Sequence, residues 1–168
     1  MNIRKAVEED KHIIIELLEK LPLFGQQMAS LVGEEQLAIS IHTQNKLVKN
    51  LLEQKNATVF LAQEDDTYIG YLMVISGHST SIKHVARIFI SVSPNNRRHG
   101  VGLKLFKNME EWAKNSGIHR LELIVVSSND PAIKLFQKCG FEIEGLKKNS
   151  LKVGGQFFHE YIMAKILN

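Results

Sequence analysis

The sequence predicts a single α/β (α+β) domain, residues 1–168, built on a central mixed, mostly antiparallel sheet. Three observations predict it. Helix-like stretches come early, three strand-like stretches follow as a meander, and strand–helix alternation then leads to two closing strands. The run HRLELIVV is mostly apolar, as expected of a strand in a sheet covered on both faces. The chain is 168 residues long and 44% hydrophobic, enough for one sizeable core without covalent staples.

Each element has a local reason. Residues 2–6 read as a short first strand. Asp10 is a candidate cap for a helix whose Ile13, Ile14, Leu17, Leu18 and Leu21 share one face. LPLFG interrupts that helix, and a second is expected from about Gly33 to Leu52. ATVFLAQ reads as a strand, EDDT as a turn and YIGYLMVISG as the next strand. IKHVARIFISVS is a third, stopped by Pro94. Leu105, Phe106, Met109, Trp112 and Ala113 recur at helical spacing, with Gly117 placed to end that helix. After HRLELIVV, Asn129 or Asp130 caps a short helix with Pro131 at a favoured first position. CGFEIEG is a strand, LKKNSLKVGGQ a turn-rich connection and FFHEYIMAKIL the final strand.

Composition excludes several classes. The single cysteine, Cys139, rules out an internal disulfide framework and fits a reducing compartment. No run approaches the roughly 18 apolar residues of a membrane span, and the N-terminus lacks an apolar signal region, so a cytoplasmic protein is expected. The histidines are scattered without zinc-type spacing, so no metal is expected. The net charge of +3 is a mild excess, much of it in Arg97, Arg98, Lys104 and Lys107. Such a cluster favours an anionic ligand, although a solvated surface explains charge alone equally well. No aromatic ladder or nucleic-acid motif accompanies it, so specific nucleic-acid binding is not expected.

The cluster belongs to VSPNNRRHGVGLKLF, where a strand stops at a proline and a helix begins after Gly100 and Gly102. A Walker loop requires Lys and then Ser or Thr after its last glycine, and Leu103 follows Gly102. A dinucleotide fingerprint requires a third glycine where Leu105 stands, although Glu122 lies near the ribose-binding spacing. A third reading is a turn whose successive backbone N–H groups, backed by a helix dipole, cradle a pyrophosphate. Glycine then serves close approach or a positive φ, and arginine adds bidentate pairing. A plain strand-to-helix turn explains the two glycines alone.

More of the chain carries a resemblance. Val92-Ser93-Pro94 followed by Arg97-Arg98-His99-Gly100-Val101-Gly102 is similar to V-x-P and [QR]-x-x-G-x-[GA] of the GNAT superfamily of acetyl-CoA-dependent N-acyltransferases. Asn129 to Phe141 resembles its second motif, N-x-x-A-I-x-L-Y-x-K-x-G-F, and Gly155 to Lys165 its usual ending, with His159 at an Asp position. The resemblance implies a sheet of about seven strands, splayed in the middle and flanked by about four helices, with acetyl-CoA in the splay. It implies that backbone groups of Ile90, Ser91 and Val92 hold the acetyl and pantetheine groups. It also implies that Arg97, Arg98, His99, Gly100, Val101, Gly102 and Leu103 form the pyrophosphate turn, and that Asn129 bonds the pantetheine arm. Lys134 or Lys138 is placed to approach the adenosine 3′-phosphate, a solvated surface being the alternative for both. Gly140 and Phe141 are structural. A homodimer through the last strands is a further expectation.

The implied activity is direct attack of a primary amine, on a small molecule or a peptide, on the acetyl-CoA thioester. The Val92 backbone N–H is the candidate oxyanion donor. Two departures stand out. The motif tyrosine, the family's usual acid, is Phe136, which packs beside the cofactor and cannot donate a proton. The glutamate that serves as base in ribosomal-protein acetyltransferases is Ile124. Candidate bases are therefore Glu122, His84 and His159, with Glu34, Glu35 and His42 behind them; none is expected to be indispensable. Cys139 as a nucleophile is disfavoured. A non-catalytic acyl-CoA-binding module and a dinucleotide-binding protein are the alternatives.

Overall fold

Seven strands form one sheet in the order β1-β2-β3-β4-β5-β7-β6. The computed structural model describes residues 1–21, 41–54 and 57–168. The strands are β1 (Asn2–Lys5), β2 (Ala57–Glu64), β3 (Thr67–Ser76), β4 (Val85–Val92), β5 (Arg120–Val126), β6 (Glu142–Val153) and β7 (Gln156–Ile166). Among the described residues the α-helices are α1 (Lys11–Lys20), α2 (Ile41–Glu53), α3 (Val101–Asn115) and α4 (Asp130–Lys138). Every neighbouring pair of strands is antiparallel except β4 and β5. The sheet is thus mixed and mostly antiparallel, as expected. The first part of the expected 33–52 helix lies outside the described residues.

Strand alternation divides the interior into two cores. On one face α3 lays Val101, Leu105, Phe106, Met109 and Ala113 over Phe60, Leu72, Ile88 and Leu121, and α4 adds Ile133 and Phe136. On the other face Ile14, Leu17 and Leu18 of α1 and Val48 and Leu51 of α2 cover Val59, Leu61, Tyr71, Met73 and Phe89. Among the described residues that second core ends at β4. The first continues through Leu123, Val125 and Met163 of β5 and β7, so α3 and α4 join the two halves of the sheet.

Two local expectations fail. LKKNSLKVGGQ is mostly strand: β6 runs to Val153 and pairs along β7. The turn is confined to Gly154 and Gly155, both at positive φ (58° and 81°), which is the demand of a two-residue hairpin turn. Asn149, at φ 50°, sits in the register shift between Lys147 and Leu151 and accounts for the irregular composition. Asp10 stands at the N-cap position of α1 without capping it through its side chain. Its carboxylate takes both arms of the Arg4 guanidinium, at 2.6 and 2.7 Å, and the Val7 N–H at 2.8 Å. A charged, two-armed partner outcompetes the helix N–H groups for the oxygens of the buried Asp10.

Candidate active site

β4 and β5 are hydrogen-bonded only at Val85–Arg120, Ala86–Leu121 and Arg87–Glu122. Ile88–Val92 and Leu123–Val126 then run on without pairing to each other, which opens a gap between the strands. The Ser93 N–H donates to the Ile69 C=O at 2.8 Å, so peptide groups at odd positions of β4 face β3. Those of Ile90 and Val92 face the gap. Of the three expected backbone positions, the Ile90 and Val92 peptide groups face the gap and that of Ser91 faces β3. Ser91 is the register partner of Tyr71 on β3. Burial raises the Tyr71 phenol above its ordinary range, and its hydroxyl donates to the Leu21 C=O at 2.6 Å.

At the mouth of the gap the chain makes one 3₁₀ turn, Pro94–Asn96, and then the arginine turn. Arg97 donates through Nε to the Val92 C=O at 3.1 Å, which ties the turn to the strand end. Arg98 and Gly100 have φ of 65° and 79°. The Lys104 N–H to Gly100 C=O bond, 3.1 Å, is the first of α3. The N–H groups of Val101, Gly102 and Leu103 precede it and have no partner within the helix. They present a positive helix end, with the exposed Arg97, Arg98 and His99 beside it. The two glycines serve different needs. A Cβ at Gly100 would meet nothing within 4 Å, so the requirement there is φ alone. A Cβ at Gly102 would lie 2.7 Å from Leu135 Cδ2, so the requirement there is close packing of α3 on α4. Asn129, at the far end of β5, caps α4 by accepting the Ala132 N–H at 3.3 Å.

Phe136 is 5% exposed and packs edge-on to Phe106 (centroids 5.8 Å apart) and at a tilt to Phe141 (6.3 Å). It is a core residue. Burial pushes the Cys139 thiol up to about 11, so it is protonated at neutral pH and a poor nucleophile.

The three expected bases are not brought together. Glu122 is held by Arg120 Nε at 2.7 Å, and the rest of that guanidinium forks onto Glu144. His84 is an exposed turn residue before β4, at the paired end, and its C=O accepts the His119 and Arg120 N–H groups. At roughly 3.3 Å per residue it lies more than 20 Å along the chain from Val92. His159 Nδ1 accepts the Asn149 N–H at 2.9 Å, which occupies the lone pair a base would use. Glu34 and Glu35 lie outside the described residues, as does the side chain of His42. One group escaped the sequence reading: Glu160, next to His159, is 3% exposed and accepts from Ser150 Oγ at 2.8 Å. Its signal was an acidic residue interrupting an apolar strand, overlooked because the motif pointed to position 159. No group of three or more His, Cys, Asp or Glu side chains suited to a metal occurs among the described residues.

Comparisons with known proteins agree with this geometry. The model of the acetyltransferase (GNAT) family matches residues 26–141. The chain is 31% identical over 119 residues to the L-amino acid N-acetyltransferase of Escherichia coli (strain K12), covering 70% of this chain and 74% of that one. A GNAT-family acetyltransferase from Streptococcus pneumoniae superposes with a TM-score of 0.83 at 26% identity, over 99% of each chain. A phosphinothricin acetyltransferase from Sinorhizobium meliloti, solved with acetyl-CoA, shares the fold with a TM-score of 0.81 at 19% identity, over 99% of this chain and 88% of that one. The splayed strands, the glycine turn at a helix start and these matches together make the chain a member of the GNAT family, acetyltransferases that move the acetyl group of acetyl-CoA to an amine.

Proposed function

We propose that the acceptor is the primary amine of a small molecule, with L-amino acids the first class to test, and that the reaction is direct attack on the thioester. The observation that carries the reading is the end of the β4–β5 ladder at Arg87–Glu122, which leaves the Ile90 and Val92 peptide groups facing a gap that leads to the Gly100 turn. In this reading the Val92 N–H stabilises the developing oxyanion, and a donor already in place costs no reorganisation during the reaction. The N–H groups from Arg98 to Leu103 and the flanking arginines hold the pyrophosphate. Asn129 bonds the pantetheine arm with whatever its capping role leaves over. The acceptor class rests on the 31% identity to the L-amino acid N-acetyltransferase of Escherichia coli.

The enzyme acts as one domain over residues 1–168 and works in the cytoplasm. Among the described residues no helix is long and apolar enough to cross a membrane. A homodimer through the exposed edge strand β6 completes the proposal; light scattering at micromolar concentration checks it, and a monomer mass rejects it. The activity test is release of CoA thiol from acetyl-CoA against pools of L-amino acids, polyamines, aminoglycosides and lysine peptides. Release above the no-amine rate with the amino-acid pool is expected. Release only with another pool replaces the acceptor class. Acetyl-CoA binding without release from any pool favours a binding module, in keeping with the buried Phe136.

A further inference from the structure

We propose that Glu160 on β7 is the group that takes the proton from the attacking amine. Its position comes from strand register. β4 and β5 pair with an offset of 35 residues (Val85–Arg120, Arg87–Glu122), so Val126 stands level with Ser91, beside the open part of the gap. Glu160 is the partner of Val126 on β7. Partners across an antiparallel ladder share a face, so Glu160 lies on the face of Glu122, Ile124 and Val126. Tyr161 and Met163 turn the other way, toward the α3–α4 core. That puts the carboxylate on the side of the sheet opposite the helix that carries the pyrophosphate turn. In the proposal the acceptor meets the thioester from that side.

Its chemistry fits. At 3% exposure a carboxylate normally requires a full set of donors. Among the described residues Glu160 has one: Ser150 Oγ reaches Oε1 at 2.8 Å, and Oε2 has no donor. The single hydroxyl hydrogen of Ser150 is also placed toward the Lys147 C=O at 3.2 Å, so even that donor is shared. Among the described residues this buried anion at the edge of the gap has one shared donor, and in the proposal an incoming ammonium or amine N–H supplies another. The charged groups facing it are Lys147, its register partner on β6, and Glu122 further down β5, already engaged by Arg120. In the step itself the amine nitrogen bonds the thioester carbon and the carbon–sulfur bond breaks. The nitrogen proton passes to Glu160 and on to solvent, and the departing CoA thiolate takes a proton from water.

The inference rests on acetyl transfer and not on which amine is used, so the test takes the pool that gives the fastest CoA release. Glu160→Gln is expected to lower kcat roughly a hundredfold, with the Kd for acetyl-CoA unchanged within about twofold. Glu160→Asp is expected to recover part of the rate. Ser150→Ala guards against a misfolded Glu160 variant: it loosens the carboxylate without removing it, so kcat should fall by less than in Glu160→Gln, with the Kd for acetyl-CoA again unchanged. The proposal is overturned if Glu160→Gln stays within about threefold of the parent rate, if its loss is matched by loss of acetyl-CoA affinity, or if Ser150→Ala leaves kcat unchanged.

Discussion

Gly100 and Gly102 stand two residues apart in one motif and answer to different physics. Gly100 holds φ at 79° in open space, so alanine there pays only the left-handed backbone cost, about 1–2 kcal/mol. Gly102 has ordinary helical φ, but its added methyl would meet Leu135 Cδ2 at 2.7 Å. Relief there requires α4 to shift or Leu135 to change rotamer, an overpacking cost of about 1–3 kcal/mol. The two are separable by a double-mutant cycle in chemical denaturation. Leu135→Ala is expected to rescue much of the Gly102→Ala loss and none of the Gly100→Ala loss. Equal rescue of both, or of neither, would contradict the assignment. At the same scale, Phe136 packs with Phe106 and Phe141 in one aromatic cluster, and its ring has no proton to donate.

At the scale of elements, α1 is fastened to β1 by Arg4 and Asp10 rather than by a helix cap. Arg4 also reaches the Tyr68 hydroxyl on β3 at 2.8 Å, so one guanidinium joins two strands to the start of a helix. The Arg4 hydrogen bonds hold the Asp10 carboxyl below its ordinary range, against an opposing desolvation. A depressed folded-state value means that the stabilisation is complete above the unfolded value near pH 4 and is lost as pH falls through the folded one. Asp10→Asn is expected to cost about 1–3 kcal/mol at pH 7. The Tm difference from the parent should narrow steadily below about pH 4; a difference independent of pH would remove the charge from the explanation. The elements themselves were largely legible, because periodicity and turn residues are local signals. β6 was misread because Asn149, Ser150 and the glycines carry turn propensity, whereas pairing with β7 decides the outcome. Glu160 was missed for a related reason: its burial depends on strands far away in sequence. The gap was legible only through the motif resemblance, since no local pattern encodes where two parallel strands part.

Across the whole molecule, the two halves of the sheet meet at a three-residue ladder and at the core under α3 and α4. This architecture leaves strand-edge peptide groups in the middle of a sheet, where they would normally be paired. In β4 the consequence alternates by residue. All four are in register with β3, but the peptide groups of Phe89 and Ser91 face that strand while those of Ile90 and Val92 turn to the gap. Amide hydrogen exchange reads this pattern directly. In the free protein the Ile90 and Val92 amides are expected to exchange at least tenfold faster than those of Phe89 and Ser91, despite sharing a strand. Acetyl-CoA at a hundred times its Kd adds about 2.7 kcal/mol of stability, which slows every amide that exchanges by global unfolding to a similar degree. Ile90 and Val92, open in the free protein, should slow by up to the same roughly hundredfold, because their exchange then requires release of the ligand that pairs them. If all four amides are equally protected before ligand is added, the gap is closed in solution and the ligand must open it. If Ile90 and Val92 keep their free-protein rates while the globally exchanging amides slow, the ligand stabilises the fold without using this edge, and the backbone roles of Ile90 and Val92 fall.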